Sequence, residues 1–315
     1  MSSHLRFAAL VIAFSLMPLL VMADTSTPAP PPAMTLFQAA VLGIVEGVTE
    51  YLPVSSTGHL LLTMDLMHIG QSDSTKDAAE AYAICIQAGA ILAVAGLYFR
   101  RLRGMAEGVI GRNPEGLRLG INVITAFLPA VIAGLTLEKW IKAHLFGGGK
   151  YGLWPVVAAW MVGGLVILFI EWKRRKATGQ SLSNKSLSEL TWKMALLIGA
   201  VQILAMWPGV SRSLATILGG LWAGLSLVAA VEFSFLLGLL TLSAATALDT
   251  LKYGHDILAI YGWQAPLIGL FTAFVSAALA VKWLVSYLQK HPLSLFGYYR
   301  IALAIVVAAF LIWPV

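Results

Sequence analysis

Residues 46–60 concentrate acidic, hydroxyl and imidazole side chains within a strongly apolar chain. They read EGVTEYLPVSSTGHL, whereas 59% of the 315 residues are hydrophobic and only 11% are charged. Glu46 and Glu50 stand four positions apart, so a helix through this segment would place both carboxylates on one face. Two like charges in an apolar setting need a cation, a shared proton or neighbouring hydroxyls as partners. The pair therefore predicts a site for a divalent metal or a proton, with a purely structural pair as the alternative.

Two side chains later in the same segment suit nucleophilic and acid–base chemistry. His59 follows Ser56 by three residues and could share its helical face, so the imidazole could take a proton from the hydroxyl or from a leaving oxygen. Helix capping by the serine and simple packing of the histidine are the competing interpretations. Their occurrence together with the two acids favours the functional interpretation.

A second polar segment, residues 202–216, repeats the landmarks of the first 156 positions later. It reads QILAMWPGVSRSLAT. Aligning Gly43 with Gly199 pairs two prominent positions, Ser55 with Ser211 and Ser56 with Arg212. The chain therefore contains one structural element twice.

Both segments predict an anion site at the start of a helix. In each, a proline precedes hydroxyl side chains that can cap the next helix, whose first backbone amides attract negative charge. Arg212 adds a planar guanidinium that binds phosphate oxygens in pairs, and an ion pair with Glu46 or Glu50 is compatible with that role. Two such helix starts facing each other would suit a pyrophosphate better than a carboxylate.

Composition places the chain in a membrane. Its mean hydropathy is +0.82, and apolar stretches of membrane-spanning length recur, which is more apolar surface than a soluble core can hide. The net charge of +6 comes from basic residues at the ends of apolar stretches, a pattern typical of orientation signals and not of a nucleic-acid-binding face. We therefore predict an integral membrane protein that contacts membrane lipids and no nucleic acid.

The apolar stretches also predict the fold. Six are long enough to span a bilayer, and four shorter ones form two adjacent pairs broken at residues 52–53 and 208–209, so each pair is predicted to be a re-entrant hairpin. Basic clusters at 100–103 and 173–176 should face the cytoplasm. With that orientation three crossings, an odd number, separate the two hairpins, so the hairpins should enter from opposite faces of the membrane. The predicted fold is an all-α integral membrane protein, an inverted-repeat bundle of about six transmembrane helices plus two re-entrant helix hairpins.

The N-terminal residues predict two short segments before this membrane domain. Residues 1–23 have a basic start, an apolar run and small residues before Asp24, as in a secretory signal peptide; an uncleaved first helix is the alternative. Residues 24–33 are proline-rich and predict an extended linker. Residues 34–315 form the polytopic domain, with its repeats at 43–60 and 199–216.

Other polar residues receive weaker assignments. The single cysteine, Cys85, excludes an internal disulfide and is interpreted as a small packing residue. Glu232 lies in a long apolar stretch and is predicted to support the site or to pair with an interior base. Asp249, Lys252 and Asp256 are predicted to lie in an exposed outer loop.

The motifs EGVTEYLPVSSTGHL and PGVSRSLAT closely resemble the signatures of the bacterial undecaprenyl-pyrophosphate phosphatase family, the membrane enzymes associated with bacitracin resistance. The resemblance runs from about Met34 to the C-terminus and includes IQAGAILAV from Ile86, PAVIAGLTL from Pro129, EFSFLL from Glu232 and YYRIALA from Tyr298. It implies hydrolysis of undecaprenyl pyrophosphate to the monophosphate, supported by a divalent cation, Mg²⁺ or Ca²⁺. That reaction recycles the lipid carrier for peptidoglycan and other envelope polymers. The resemblance further implies a bacterial cytoplasmic (inner) membrane location with a site open to the periplasm, and it leaves the oligomeric state open, with a homodimer as one candidate.

The resemblance also implies roles for individual residues. Glu46 and Glu50 would bind the metal or position water, Ser56 would be the nucleophile, His59 the acid/base and Arg212 the phosphate clamp. The phosphate would receive further support from five hydroxyl side chains, Ser55, Thr57, Ser211, Ser213 and Thr216.

Two points stay open at this stage. The family usually has an acid four residues before the glutamine of its IQxG stretch, where this chain has Ala83 before Gln87, so no role is assigned there. Spacing also does not decide whether Ser56 forms a phosphoseryl intermediate, His59 attacks directly, or the two glutamates activate water.

Two other functions compete with hydrolysis. A polyprenyl-phosphate transporter or flippase is suggested by inverted repeats with broken helices, which place polar sites near the bilayer midplane. A non-catalytic membrane scaffold would tolerate the loss of Glu50, His59 and Arg212. Charged side chains are costly in a membrane, and this cost argues against a scaffold.

Overall fold

The structure, a computed structural model, describes residues 34–70, 73–145, 152–176 and 184–313. Within these ranges the chain is helical, and its β structure is limited to a single bridge between Lys185 and Leu225. The predicted signal peptide and proline-rich linker lie outside the described residues. Eleven α-helices occur in the described ranges, α1 (Leu36–Thr49), α2 (Ser56–Leu66), α3 (Asp73–Leu97), α4 (Phe99–Val109), α5 (Pro114–Leu145), α6 (Trp154–Lys176), α7 (Trp192–Gln202), α8 (Arg212–Trp222), α9 (Leu227–Tyr261), α10 (Gln264–Leu288) and α11 (Ser294–Ile312).

Six of these helices are long and apolar enough to span a bilayer. They are α3, α5, α6, α9, α10 and α11, and each carries an 18-residue window with at most two charged residues. This confirms the predicted all-α membrane fold with six spans. The chain is a multi-pass membrane protein.

The two predicted helix breaks are present. Helix α1 ends at Thr49 and α2 begins at Ser56; α7 ends at Gln202, a 3-10 turn covers Ile203–Met206, and α8 begins at Arg212. Proline removes a backbone donor and disfavours helix in the residue before it, which accounts for both interruptions. Four short helices thus lie where the two re-entrant hairpins were predicted, while the entry of each hairpin from opposite membrane faces stays a prediction.

Two features of the helices differ from the expectation. Asp249, Lys252 and Asp256 belong to helix α9, which runs on to Tyr261, so the predicted outer loop is wrong, although Lys252 and Asp256 are exposed. Hydropathy fell at these residues because they are polar, yet polar residues extend a helix readily once it has started. A further helix, α4, occupies the basic segment after the third helix, with its apolar residues on one side.

The chain forms two compact units, of which the first comprises residues 34–48, 59–97 and 239–280 among those described. Its core includes the fully buried Tyr82, whose hydroxyl donates to the carbonyl of Ala265 at 3.0 Å. Gly43 of α1 lies so close to α10 that an added Cβ would be 2.3 Å from the carbonyl oxygen of Gly269. Small residues of this kind allow the close helix contacts typical of membrane proteins.

The second unit comprises residues 49–58, 98–145, 152–176, 184–238 and 281–313 among those described and contains both helix breaks. In it, α6 packs against α11, α5 packs against α4 and α7, and α7 packs against α8. Trp160 of α6 is fully buried, and its indole N–H donates to the carbonyl of Val54 at 3.0 Å. The first break is therefore held by side chains that come from elsewhere in the second unit.

Candidate active site

The two helix breaks have the same backbone geometry at equivalent positions. Ser55 has φ of 77° and Ser211 has φ of 72°, a left-handed conformation that residues other than glycine seldom adopt. The Ser55 hydroxyl accepts from the amide of Gly58 at 3.4 Å, and the Ser211 hydroxyl accepts from the amide of Leu214 at 3.2 Å. Each serine therefore caps the helix that follows, as predicted. Strained residues of this type persist where surrounding structure holds them, and they cluster at functional sites.

Glu50 links the two breaks through both of its carboxylate oxygens. The Ser56 hydroxyl donates to one oxygen at 2.5 Å, and the Arg212 guanidinium donates to the other at 3.1 Å. The three side chains are almost fully removed from solvent, since Glu50 and Arg212 are 6% and 11% exposed and Ser56 is buried. The predicted ion pair between Arg212 and an acid of the first motif is thus present, and its partner is Glu50.

The Arg212 guanidinium is held on three sides. A second nitrogen donates to the carbonyl of Ser234 on α9 at 2.9 Å, and the guanidinium carbon lies 5.2 Å from the centre of the Tyr51 ring. Gly238 leaves the space in which the guanidinium lies, because an added Cβ there would be 2.3 Å from one of its nitrogens. This arrangement fixes a permanent positive charge at the first residue of α8.

Three further hydroxyls extend this buried network. Ser213 donates to the carbonyl of Leu52 at 2.7 Å and contacts the Ser211 hydroxyl at 2.9 Å. Thr216 and Ser234 share a hydrogen bond of 2.6 Å between their hydroxyls. The first turn of α8 is thereby attached to the first break and to α9.

The remaining predicted residues are placed separately. Glu46 is fully buried on the last turn of α1, His59 is half-buried on the first turn of α2, and Thr57 is exposed. Helix α1 ends at Thr49, so Glu46 lies on its last turn and Glu50 directly follows the helix; that the two carboxylates share one face stays a prediction. The acceptor for the Ser56 hydroxyl is Glu50, so the structure supplies a different partner from the predicted His59.

Arg300 is a prominent residue of this region to which the sequence assigned no role. Its side chain is fully buried, and it donates to the carbonyls of Pro53 at 3.3 Å, Ala159 at 2.8 Å and Gly209 at 2.9 Å. Pro53 and Gly209 are equivalent positions of the two repeats, 156 residues apart. The only sequence signal was a charged residue inside the apolar stretch of α11, which by default marks a functional position.

The predicted divalent cation can be compared with the available donors. No group of three or more His, Cys, Asp or Glu side chains that could hold a metal occurs among the described residues. Mg²⁺ is commonly held by one or two carboxylates together with substrate phosphates and water, and each Glu50 oxygen keeps a lone pair beyond its one hydrogen bond. The donor set therefore fits a cation shared with a phosphate substrate and not an all-protein cage.

Glu232 pairs with a base outside this network. Its carboxylate accepts from Arg101 at 2.6 Å, and the Arg101 side chain is 51% exposed, so Glu232 pairs with a base on the exposed segment after α3 and not with the interior base that was predicted. Burial, together with the charge of Glu232, raises the pKa of Tyr98 to about 12, so this phenol stays neutral.

Comparisons with known proteins agree with the motifs. A family model described as "Bacitracin resistance protein BacA" matches residues 39–306. The chain is 45% identical over 277 residues to "Undecaprenyl-diphosphatase" of Sorangium cellulosum, covering 87% of this chain and 86% of the relative. It is 44% identical to "Undecaprenyl-diphosphatase 2" of Rhodospirillum rubrum over 276 residues, 87% of this chain and 94% of the relative.

A third relative is aligned with this chain over the relative's whole length. "Undecaprenyl-diphosphatase" of Aquifex aeolicus is 40% identical over 280 residues, which cover 89% of this chain and 100% of the relative. The residues matched by the family model, 39–306, include both helix breaks and Arg300. This chain belongs to the bacitracin resistance protein BacA family.

Proposed function

We propose that this protein hydrolyses undecaprenyl pyrophosphate to undecaprenyl phosphate and inorganic phosphate. The family membership and the names of the relatives support this activity. The observation that carries it to particular atoms is the buried chain Ser56–Glu50–Arg212, which brings a hydroxyl, a carboxylate and a fixed guanidinium together at two helix starts. The reaction recycles the lipid carrier of envelope polymers and gives resistance to bacitracin.

Substrate binding follows from the charges at the two breaks. The first turns of α2 and α8 present backbone amides to a pyrophosphate, and Arg212 binds its oxygens from the start of α8. Ser211, Ser213 and Thr216 support that helix start through their hydrogen bonds. The polyprenyl tail lies among apolar helices, where it stays in contact with membrane lipids.

The hydrogen bond from Ser56 to Glu50 supports Glu50 as the base for this serine. Glu50 accepts the Ser56 proton while the Ser56 oxygen attacks the terminal phosphorus, and the bond from that phosphorus to the bridging oxygen breaks. Undecaprenyl phosphate leaves as His59 protonates the bridging oxygen. Water then attacks the phosphoserine and gives a proton to His59, the bond from phosphorus to the Ser56 oxygen breaks, and Glu50 returns its proton to Ser56 as phosphate departs.

Arg212 stabilises the charge that builds on the transferred phosphoryl oxygens. Its guanidinium is already aligned by Ser234 and Tyr51, so little reorganisation is needed when charge develops. Glu50, with Glu46 as the second predicted carboxylate, would hold a Mg²⁺ or Ca²⁺ ion together with the substrate, and that ion would supply further neutralisation of the phosphate oxygens.

The location of the reaction is part of the same proposal. The basic segments after α3 and at the end of α6 predict cytoplasmic loops, and this orientation opens the first helix break toward the periplasm. We assign the protein to the bacterial inner membrane on this basis.

The test measures phosphate release from undecaprenyl pyrophosphate by the purified protein in detergent. We expect release to require a divalent cation, to stop on chelation and to resume when Mg²⁺ or Ca²⁺ is restored. Ser56→Ala and Glu50→Gln should each lower kcat at least 10³-fold, of the order seen when one member of a catalytic unit is removed. Ser286→Ala is the matched control, because Ser286 is exposed and bonds only within its own helix.

The outcome also separates hydrolysis from transport. Full release by Ser56→Ala would contradict the serine as nucleophile and leave His59 or activated water. Absence of release by a folded parent with cation present would favour a polyprenyl-phosphate transporter, which the matching backbone of the two repeats also suits.

A further inference from the structure

A cavity of about 470 Å³ lies in the second unit, at the segment that follows α3. It is lined by the starts of helices α4, α5 and α9 and by the 3-10 turn Leu187–Glu189. None of its lining residues belongs to either helix break or to the network of Glu50 and Arg212. It is therefore a separate concave site, and nothing in the proposed reaction uses it.

The charge of the cavity is positive. Arg100, Arg101 and Arg118 line it, with Glu115 and Glu232 as the acidic residues. Arg101 is neutralised by Glu232 at 2.6 Å, and Arg118 donates to the carbonyl of Ser188. Arg100 makes no hydrogen bond or ion pair with any residue that the structure describes. Two guanidinium groups thus remain with most of their donors available to a ligand.

Two helix starts add to this positive character. Asn113 accepts from the amide of Gly116 at 2.9 Å at the start of α5, and Ser226 accepts from the amide of Ala229 at 3.2 Å at the start of α9. All four residues line the cavity. The positive ends of two helices of 32 and 35 residues therefore lie beside the arginines, a combination suited to an anion with several oxygens.

The surroundings of the cavity favour a ligand with an apolar part. Val228, which lines the cavity, is 45% exposed, and Leu117, which stands in the sequence between the lining residues Gly116 and Arg118, is 39% exposed. Both residues stand near the beginning of a membrane-spanning helix. The basic residues are those that predict the cytoplasmic side, and basic pockets between transmembrane helices on that side bind anionic headgroups.

We propose that this cavity binds the phosphate group of an anionic phospholipid, with Arg100 and Arg118 as its main contacts. A free phosphate ion has the same oxygen chemistry, so the experiment separates the two sources. Ligand binding here would join α4 and α5 to the start of α9. Helix α9 also carries Ser234 and Gly238, which hold the Arg212 guanidinium, so lipid bound in the cavity would stabilise the helix that positions Arg212.

The test is binding of phosphatidylglycerol to the purified full-length protein, followed by native mass spectrometry and by thermal unfolding in detergent. Phosphatidylcholine is the comparison lipid. The double variant Arg100→Gln/Arg118→Gln should weaken retention of phosphatidylglycerol about tenfold or more, a loss of at least one charge-assisted contact. Arg103→Gln is the matched control, since Arg103 is on the same helix but pairs with Glu107 and does not line the cavity.

Three outcomes would overturn the proposal or its choice of ligand. Equal retention of phosphatidylglycerol by the parent and the double variant would contradict the site. An equal loss with Arg103→Gln would show general attraction to basic loops and not a cavity. Stabilisation by inorganic phosphate alone, lost in the double variant, with no preference between the two lipids, would assign the cavity to free phosphate. Phosphate release in lipid-free detergent is measured alongside to establish that the double variant is folded.

Discussion

The position of the Arg212 guanidinium can be tested without changing Arg212 itself. Gly238 of α9 lies against it, and an added Cβ would be 2.3 Å from one guanidinium nitrogen and 2.6 Å from its central carbon. Ordinary contacts of a Cβ are 3.4–4 Å. Gly238→Ala therefore requires the guanidinium to move by about 1 Å, a scale on which a misplaced group can lower the rate about 10²-fold.

The energetic consequence follows from the contacts that this movement breaks. Arg212 donates to the Ser234 carbonyl at 2.9 Å and to Glu50 at 3.1 Å. Hydrogen bonds to charged groups contribute about 1.5–3 kcal/mol each, and both partners of the ion pair are almost fully buried, so solvent screens it weakly. We expect kcat/KM for undecaprenyl pyrophosphate to fall about 10²-fold, which corresponds to about 2.7 kcal/mol.

Stability should change much less than activity. The clashing atoms belong to the end of a flexible side chain, which can move aside, and alanine is favoured over glycine within a helix by about 1 kcal/mol. Gly134→Ala is the matched control, because Gly134 lies within α5 and no heavy atom is within 4 Å of the added Cβ. The assay is phosphate release, with thermal unfolding measured on the same preparations.

The reasoning would be refuted by a Gly238→Ala protein that keeps parental kcat/KM while Arg212→Ala is inactive. Arg212 would then act from a position other than the one described. A large fall in the melting temperature of Gly238→Ala, absent in Gly134→Ala, would show that the helix and not the side chain had yielded to the clash.

Two further predictions concern the side chains that hold the helix breaks. Arg300→Met leaves the carbonyls of Pro53 and Gly209 without this donor, so the free energy of unfolding should fall by about 1–3 kcal/mol. Part of the loss should be recovered in Arg300→Lys, and equal melting temperatures for Arg300→Met and the parent would contradict this. Trp160→Phe keeps an aromatic ring but loses the N–H that donates to the carbonyl of Val54, so the free energy of unfolding should fall by about 1 kcal/mol. The melting temperature should be about 2 °C lower, and an unchanged value would show that this hydrogen bond adds nothing to stability.

The sequence was most informative where a physical requirement leaves few solutions. A polar run broken by proline between apolar stretches has few placements in a bilayer, so the breaks before Ser56 and Arg212 could be predicted to within a residue or two. The same reasoning predicted that a serine caps the helix after each break, Ser55 or Ser56 in the first and its counterpart in the second, because a helix start needs an acceptor for its first amides; the structure selects Ser55 and Ser211. The pairing of Arg212 with an acid followed from the cost of an isolated charge.

The sequence was least informative where long-range packing decides the outcome. Glu50 bonds to Ser56 in the same break and to Arg212, 162 positions later, and local spacing does not indicate which acid Arg212 pairs with. Arg300 donates to carbonyls 247 and 91 residues away, and no local pattern indicates which backbone oxygens a distant helix will approach. Carbonyls leave no sequence signal because every residue has one.

The two repeats have the same backbone geometry at their helix breaks but carry different side chains there. Ser55 and Ser211 give the two breaks the same left-handed cap, and Arg300 donates to the equivalent carbonyls of Pro53 and Gly209. The next residue differs, since the first turn of α2 opens with Ser56 and that of α8 opens with Arg212. A hydroxyl and a guanidinium thus occupy equivalent positions of the two repeats. Glu50 accepts a hydrogen bond from each of them. Two identical repeats would supply either two guanidinium groups or two hydroxyls at this position; in the proposed reaction, the difference lets Ser56 of one half attack the phosphate that Arg212 of the other half binds.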